Sequence, residues 1–413
     1  MDKNNKLVSM LPEMLTGEKL MEQMKMLPDY IEDIPDAPLA ERLMALPDIY
    51  RIYIPSQMSA EIYSKMYISL MRSLQKKQTR LATLQQIENR KAVLGMEIGG
   101  IMGGVDSFTI IGPPGIGKSA TIERAIDLIH GDRILITDHP YCKVIPIISV
   151  QCPFDSSVKG LLLEILRKVD EVLGSRYHES ALRARMTTDM LIGSVSQVAL
   201  NHIGLLVVDE IQHVVGSKNG SSLVGVLTQL INSSGIAICM VGTPECTVFF
   251  ESTLYLARRA LGLQYSPLPY DEEFCSLCRT MLSYRYIRDD YEVTESMLYW
   301  LHEHTGGVAA SVVSLIHDVQ EIAILNGSER LTMKALNEAY ENRLVMLHAF
   351  SGRPKKKAVK KKTKETVQVI EQQAENAGHD DAFIADAVTI SKSQSLDIIG
   401  LLKQEMKVEV VAI

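Results

Sequence analysis

Eight residues, Gly112-Pro113-Pro114-Gly115-Ile116-Gly117-Lys118-Ser119, fit the pattern G-x-x-x-x-G-K-[ST]. The run before them, Ser107-Phe108-Thr109-Ile110-Ile111, is β-branched and apolar and predicts a buried strand. The run after them places apolar residues at Ile122, Ala125, Ile126 and Ile129, the spacing of a helix. A glycine-rich turn between strand and helix is a phosphate cradle. Its backbone N–H groups close around a polyphosphate, and the helix N-terminus adds a favourable dipole. Gly112, Pro114, Gly115, Ile116, Gly117, Lys118, Ser119 and Ala120 are predicted to form it, with Lys118 reaching the β- and γ-phosphates and the Ser119 hydroxyl ligating Mg²⁺.

A second stretch, Leu205-Leu206-Val207-Val208-Asp209-Glu210, is an apolar strand ending in two carboxylates. Beside a bound nucleotide, Asp209 helps to hold the Mg²⁺ shell. Glu210 orients and polarises the attacking water, a general-base role. A third, Ile236 to Val241, runs into Gly242-Thr243-Pro244-Glu245 and makes Thr243 the candidate sensor of the terminal phosphate. A fourth, Leu256-Ala257-Arg258-Arg259-Ala260, offers an arginine that could project into a neighbouring subunit's nucleotide and stabilise transition-state charge. Arg258 is the choice, with Arg259 as the alternative.

The elements that must position these residues follow a βα rhythm. Strands are expected near 134–137, 143–151, 204–209 and 236–242, with helices near 160–173, 188–202 and 222–232 between them, which predicts a parallel sheet covered on both faces. Residues 270–348 read as helical, with Thr294 as an N-cap. Residues 58–92 read as one or two helices with an apolar face and a basic stretch. The expected division is therefore an N-terminal extension at 1–54, Met-rich and cut by prolines; a nucleotide-binding α/β core at 55–268; a helical lid at 269–348; and a basic linker and tail at 349–413. The linker carries Arg353 and seven lysines between 355 and 364 without an apolar partner pattern.

Composition narrows the function classes. With 46% hydrophobic and 23% charged residues, the chain can build a large core. A net charge of −7 means that any nucleic-acid surface must be a local patch. The six cysteines are scattered, mostly through apolar runs, as reduced core cysteines in a cytoplasmic protein are. Cys275 and Cys278 form a C-x-x-C without the second ligand pair that zinc needs. No run of about 20 apolar residues is present, so no membrane partner is expected.

G-P-P-G-I-G-K-S, V-V-D-E-I-Q-H-V, V-G-T-P-E and A-R-R-A in this order resemble an AAA+ ATPase, and more narrowly the TnsC/TniB regulators of bacterial DNA transposition. The resemblance covers about residues 55–345. It implies an α/β fold, with an AAA+ P-loop parallel sheet flanked by helices and followed by a small all-helical lid. It implies ATP and Mg²⁺, and a homo-oligomeric ring or filament on duplex DNA that links a target-selection protein to a transposase. It also implies DNA contacts from loops lining the oligomer's pore; Lys159, just after the strand at 143–151, is the candidate. One departure matters. Where many AAA+ lids carry an arginine, this chain has Gly306-Gly307-Val308-Ala309-Ala310-Ser311, which points to slow hydrolysis, modulated by DNA or partners. Two rivals stay open: another AAA+ DNA factor such as a helicase loader or replication initiator, and an interaction scaffold that binds nucleotide but hydrolyses little.

Overall fold

The computed structural model describes residues 5–77, 79–94, 96, 107–130, 133–138, 141–215, 217–247 and 262–343. The chain divides into two compact units, Met1–Ser351 and Gly352–Ile413, and every described residue belongs to the first. Arg258, Arg259, the basic linker and the tail lie outside the described residues.

Six strands form one sheet: β1 (Phe108–Ile111), β2 (Leu135–Asp138), β3 (Tyr141–Gln151), β4 (Ile203–Asp209), β5 (Ala237–Gly242) and β6 (Leu263–Gln264). Their spatial order is β2-β3-β4-β5-β1-β6. All neighbours pair in parallel except β2 and β3. Those two are separated by residues 139 and 140 alone, and a parallel crossover takes a dozen or more. The βα rhythm predicts parallel pairing throughout, and this edge departs from it.

Alternate residues of the central strands supply two separate cores, as a period of two dictates. In β4, Leu206 and Val208 join one apolar cluster while Leu205 and Val207 join the other; in β5, Ile238 and Met240 oppose Cys239 and Val241. The first face is covered by α7 (Val158–Leu173), α8 (Tyr177–Arg183), α9 (Thr188–His202) and α10 (Gly220–Ser234), and α5 (Arg80–Val93) packs on α9. The second is covered by α4 (Gln57–Lys76) and α6 (Lys118–Ile129). Local chemistry sets the helix ends. Ser157 and Thr187 cap the starts of α7 and α9 with their hydroxyls, and α7 and α10 stop at the left-handed Gly174 and Gly235.

The helical part beyond the sheet comprises α11 (Glu272–Ser283), α12 (Glu295–Thr305), α13 (Ala309–Leu325) and α14 (Met333–Arg343), around a third apolar cluster. Thr294 caps α12 by accepting from the Met297 N–H, as expected. The residues before 55 divide between the two parts. Leu7, Leu20 and Met24, from α1 (Lys6–Ser9) and α2 (Gly17–Met24), enter the sheet-side core. Ile34, Leu46, Ile49 and Ile52, around α3 (Leu39–Ala45), enter the helical one. Arg124 of α6 donates to the carbonyls of Gln23 and Met24. Arg42 of α3, 2% exposed, grips Glu329 with two hydrogen bonds of 2.7 Å and donates to the Tyr286 carbonyl. That grip holds the Glu329 carboxyl below the usual range. The extension is thus packed into the body of the protein along its described length.

Candidate functional site

The strand order places β5 between β4 and β1, so three functional segments leave the same edge of the sheet side by side. The phosphate loop follows β1, Asp209 and Glu210 end β4, and Thr243 follows β5. The Gly112 N–H donates to the Gly242 carbonyl across this edge. A cavity of about 500 Å³ opens there. Its walls include Pro114 to Thr121, Asp209, Glu210, Gln212, Gly242 and Thr243 from the sheet side, and Leu277, Met281, Ala309, Ala310 and Val313 from the helical side.

The loop's shape depends on two glycines in the left-handed region, Gly115 at φ 80° and Gly117 at φ 99°. Neither conformation suits a residue with a Cβ. Gly117 leads directly into α6, so free N–H groups of that helix face the cavity.

Every chemistry-bearing side chain in the site is held by a neighbour. Lys118, 9% exposed, donates to the carbonyls of Gly112 (2.7 Å) and Pro113 (2.9 Å). Burial pulls its amine below the usual lysine range, and Asp209, Glu210 and Cys246 oppose that pull. Ser119 donates to Asp209 at 2.8 Å. The Glu210 N–H donates to the other Asp209 oxygen, also at 2.8 Å. Glu210 stands at φ 58°, a costly conformation for a non-glycine residue, and accepts from the Gln212 amide. Thr243 donates to Glu245.

These residues fit a nucleotide with its Mg²⁺. A hydroxyl and a carboxylate from segments 90 positions apart meet within one hydrogen bond, as two oxygen donors of a hard cation must. The glycine turn, the helix N-terminus and Lys118 supply the complement for phosphate oxygens. The structure therefore brings together the predicted Gly112 to Ala120, Asp209, Glu210 and Thr243. Lys159 is elsewhere, exposed in the first turn of α7.

Several wall residues carried no signal in the sequence. Tyr50, Ile52, Tyr53 and Ile54 line the cavity from the extension. The Tyr53 hydroxyl bonds Thr121 of α6 at 2.9 Å and Ser59 of α4 at 2.8 Å. Tyr265, just past β6, also lines it and donates to Glu61 at 3.0 Å. Nothing in the spacing of these residues links them to the phosphate loop. Gln212 stood inside a motif but without a role.

Among the described residues, those that line the cavity from the helical side carry no charge, and 306–311 hold no arginine. The start of α13 lies directly on the phosphate loop. The Ala310 N–H donates to the Gly115 carbonyl at 3.0 Å, and a Cβ on Gly115 would meet Ala310 at 3.1 Å and Val308 at 3.0 Å. Small residues at 309 and 310 allow that approach.

Residues 104–249 match the family model described as an AAA domain. No curated protein matches the chain. Among solved structures, it is similar to the Orc1 protein of Aeropyrum pernix in complex with DNA (14% identity, 63% of each chain, TM-score 0.42). It is also similar to the Walker-type ATPase PABY2304 of Pyrococcus abyssi (12% identity, 78% of this chain and 88% of that one, TM-score 0.37). A third is PCH-2 of C. elegans (13% identity, 73% of each chain, TM-score 0.35). The match to an AAA domain covers residues 104–249, and the mostly parallel sheet with a helical region after it is consistent with the AAA+ P-loop fold.

Proposed function

We propose that this protein is an ATP-hydrolysing AAA+ switch of DNA transposition, of the TnsC/TniB kind, which assembles on duplex DNA and links a target selector to a transposase. The observation that carries the ATPase part is the hydrogen bond from Ser119, at the end of the phosphate loop, to Asp209, with Glu210 next to it. In this reading the loop amides and Lys118 bind and orient the β- and γ-phosphates, and Ser119 and Asp209 hold Mg²⁺. The metal, when bound, neutralises charge that builds on the phosphates. Glu210 takes the proton of the attacking water, and Thr243 sits where the terminal phosphate is read. Arg258 of a neighbouring subunit completes the site, and Lys159 contacts DNA. The four motifs in order support the transposition part.

A second reading has one observation in its favour. The lid meets the phosphate loop through a backbone bond at Ala310, and none of the described lid residues that line the cavity is a cation, which suits a scaffold that binds nucleotide and hydrolyses little.

Duplex-DNA binding measured with ATP, with ADP and without nucleotide, at two salt concentrations, separates the two. The switch predicts salt-sensitive coating of DNA that requires ATP and is lost in Lys118→Ala. Absence of DNA binding under every nucleotide overturns it and leaves the scaffold.

A further inference from the structure

Helix α5 is built inside out. At the period of a helix, its inward side carries Ala82, Gln85, Asn89 and Ala92, all buried, and its outward side carries Leu81, Leu84, Ile87 and Leu94, all exposed. The inward contacts are made by amides and alanines. Gln85 donates to Asn89 at 3.1 Å, Asn89 to the Ser233 carbonyl at 3.0 Å, and Gln86 to Asn201 at 2.8 Å. Ala92 lies so near α9 that a Cβ on Gly193 would meet its own at 2.7 Å. A helix at the surface of a globular protein ordinarily does the reverse, with its apolar stripe on the core. The outward stripe runs about 20 Å along the helix, and Leu94 at its end is 75% exposed. Three exposed cations, Arg80, Arg90 and Lys91, stand on the same side, with Glu88 bound to Lys91 at 2.6 Å.

A surface of the opposite charge lies on another part of the fold. Segment 27–44 of the extension exposes Leu27, Ile31, Leu39 and Met44, the last at 73%. Between them stand Asp29, Glu32, Asp33, Asp36 and Glu41, all exposed. The segment's one basic residue, Arg42, is buried and bound to Glu329. Ile34 and Arg42 fix the segment to the helical part from within, whereas α5 sits on α9 and α10. Each chain thus carries one apolar surface rimmed by cations and another rimmed by carboxylates, in separate places.

We propose that these two surfaces are the halves of one interface, in which α5 of one copy of this chain seats on segment 27–44 of the next. Apolar side chains from both halves supply the burial, and the opposed charges set the partner and the direction. Two different patches joined head to tail leave one of each at the ends, so the contact repeats into a ring or a filament. The inference rests on the assembly part of the reading above and names a surface for it, made by residues that do not line the nucleotide cavity.

Sedimentation velocity of the full chain with ATP and Mg²⁺, with and without duplex DNA, tests it. Ile87→Asp breaks the α5 surface and Met44→Asp the acidic one, each at an exposed position. Either variant alone is expected to self-associate at least about tenfold more weakly than the native chain. Mixed in equal amounts they pair, because each keeps the half that the other lacks, and the complex stops at two chains. Where an aspartate disturbs folding, charge reversal gives the same test: Arg90→Glu with Lys91→Glu, and Glu32→Lys with Asp33→Lys, each weaken assembly, and the chain with all four regains it. Native-strength assembly by both aspartate variants overturns the interface and leaves the assembly reading standing. Loss in one variant only, or a mixture that does not pair, means that the two surfaces do not meet, with α5 facing a second α5 or the chain's own tail instead, and overturns it as well. A native chain that stays monomeric under every condition overturns the assembly reading itself, and the inference falls with it.

Discussion

Two buried lysines in this molecule are held in the same way and answer to different needs. Lys118 donates to the carbonyls of Gly112 and Pro113; Lys77, just after α4, donates to those of Ala199 and Leu200. Burial lowers the pKa of both. The surroundings differ. Lys118 borders the cavity, with Asp209 and Glu210 near enough to oppose the loss of its charge. Lys77 is sealed at the end of α9, and burial takes its amine down to about 7, with only Cys142 pulling the other way. A cation kept charged by carboxylates at the edge of a cavity is available to a ligand. A cation denied counter-ions serves the fold, by satisfying the carbonyls of a helix end that no further turn can reach.

The contrast breaks most sharply under the same substitution at both places. Lys118→Met removes the cation that the phosphates need, and hydrolysis is expected to fall by about a thousandfold or more. The variant's stability stays within about 1 kcal/mol of the native value, since Lys118 borders the cavity and water there can take over its hydrogen bonds to the carbonyls. Steady-state hydrolysis and urea unfolding on one preparation check both halves. A Lys118→Met protein that hydrolyses normally would remove Lys118 from the site.

Lys77→Met is expected to do the opposite. It leaves the Leu200 carbonyl buried without its donor, at a cost of about 1–3 kcal/mol. Hydrolysis by the folded fraction stays within about twofold of the native rate, because the cavity is on the other edge of the sheet. A loss of activity larger than the loss of folded protein would mean that Lys77 reaches the site after all.

This contrast also marks what the sequence could tell. Lys118 stands in a spaced motif between a strand and a helix, and three strands with polar exits identified most of the site because a parallel sheet gathers its strand ends on one edge. Lys77 stands in a basic stretch of a helical pattern; its burial comes from packing against α9, 122 residues away. Tyr50, Tyr53 and Tyr265 reach the cavity in the same non-local way, and no local period encodes such contacts. Gln212 was legible as a letter of a motif, but its bond to Glu210 was not. The antiparallel edge was missed because β-branched periodicity is the same in either direction. The cysteines behaved as their apolar neighbours implied: all six are free, and Cys142 alone is not fully buried.

The smallest effect is a slope against pH, and it separates the two lysines without a ligand. Lys77 binds its proton up to about 7 in the folded protein and, with the ordinary value of 10.5, well above that when unfolded. Below about 7 both states are protonated, and the cost of burying the charge is present in full. Between the two values the unfolded chain binds a proton that the folded one does not, so stability rises with pH by up to about 1.4 kcal/mol per unit. The buried thiols act in the other direction only at higher pH; Cys152, for instance, is raised from 9.0 to about 11. The window from about pH 7 to about pH 9 therefore belongs to Lys77. Urea midpoints across that window are expected to climb in the native protein and in Lys118→Met, and to stay flat in Lys77→Met. An equal climb in both variants would mean that Lys77 keeps its proton in the folded state, and the two lysines would then differ in access alone.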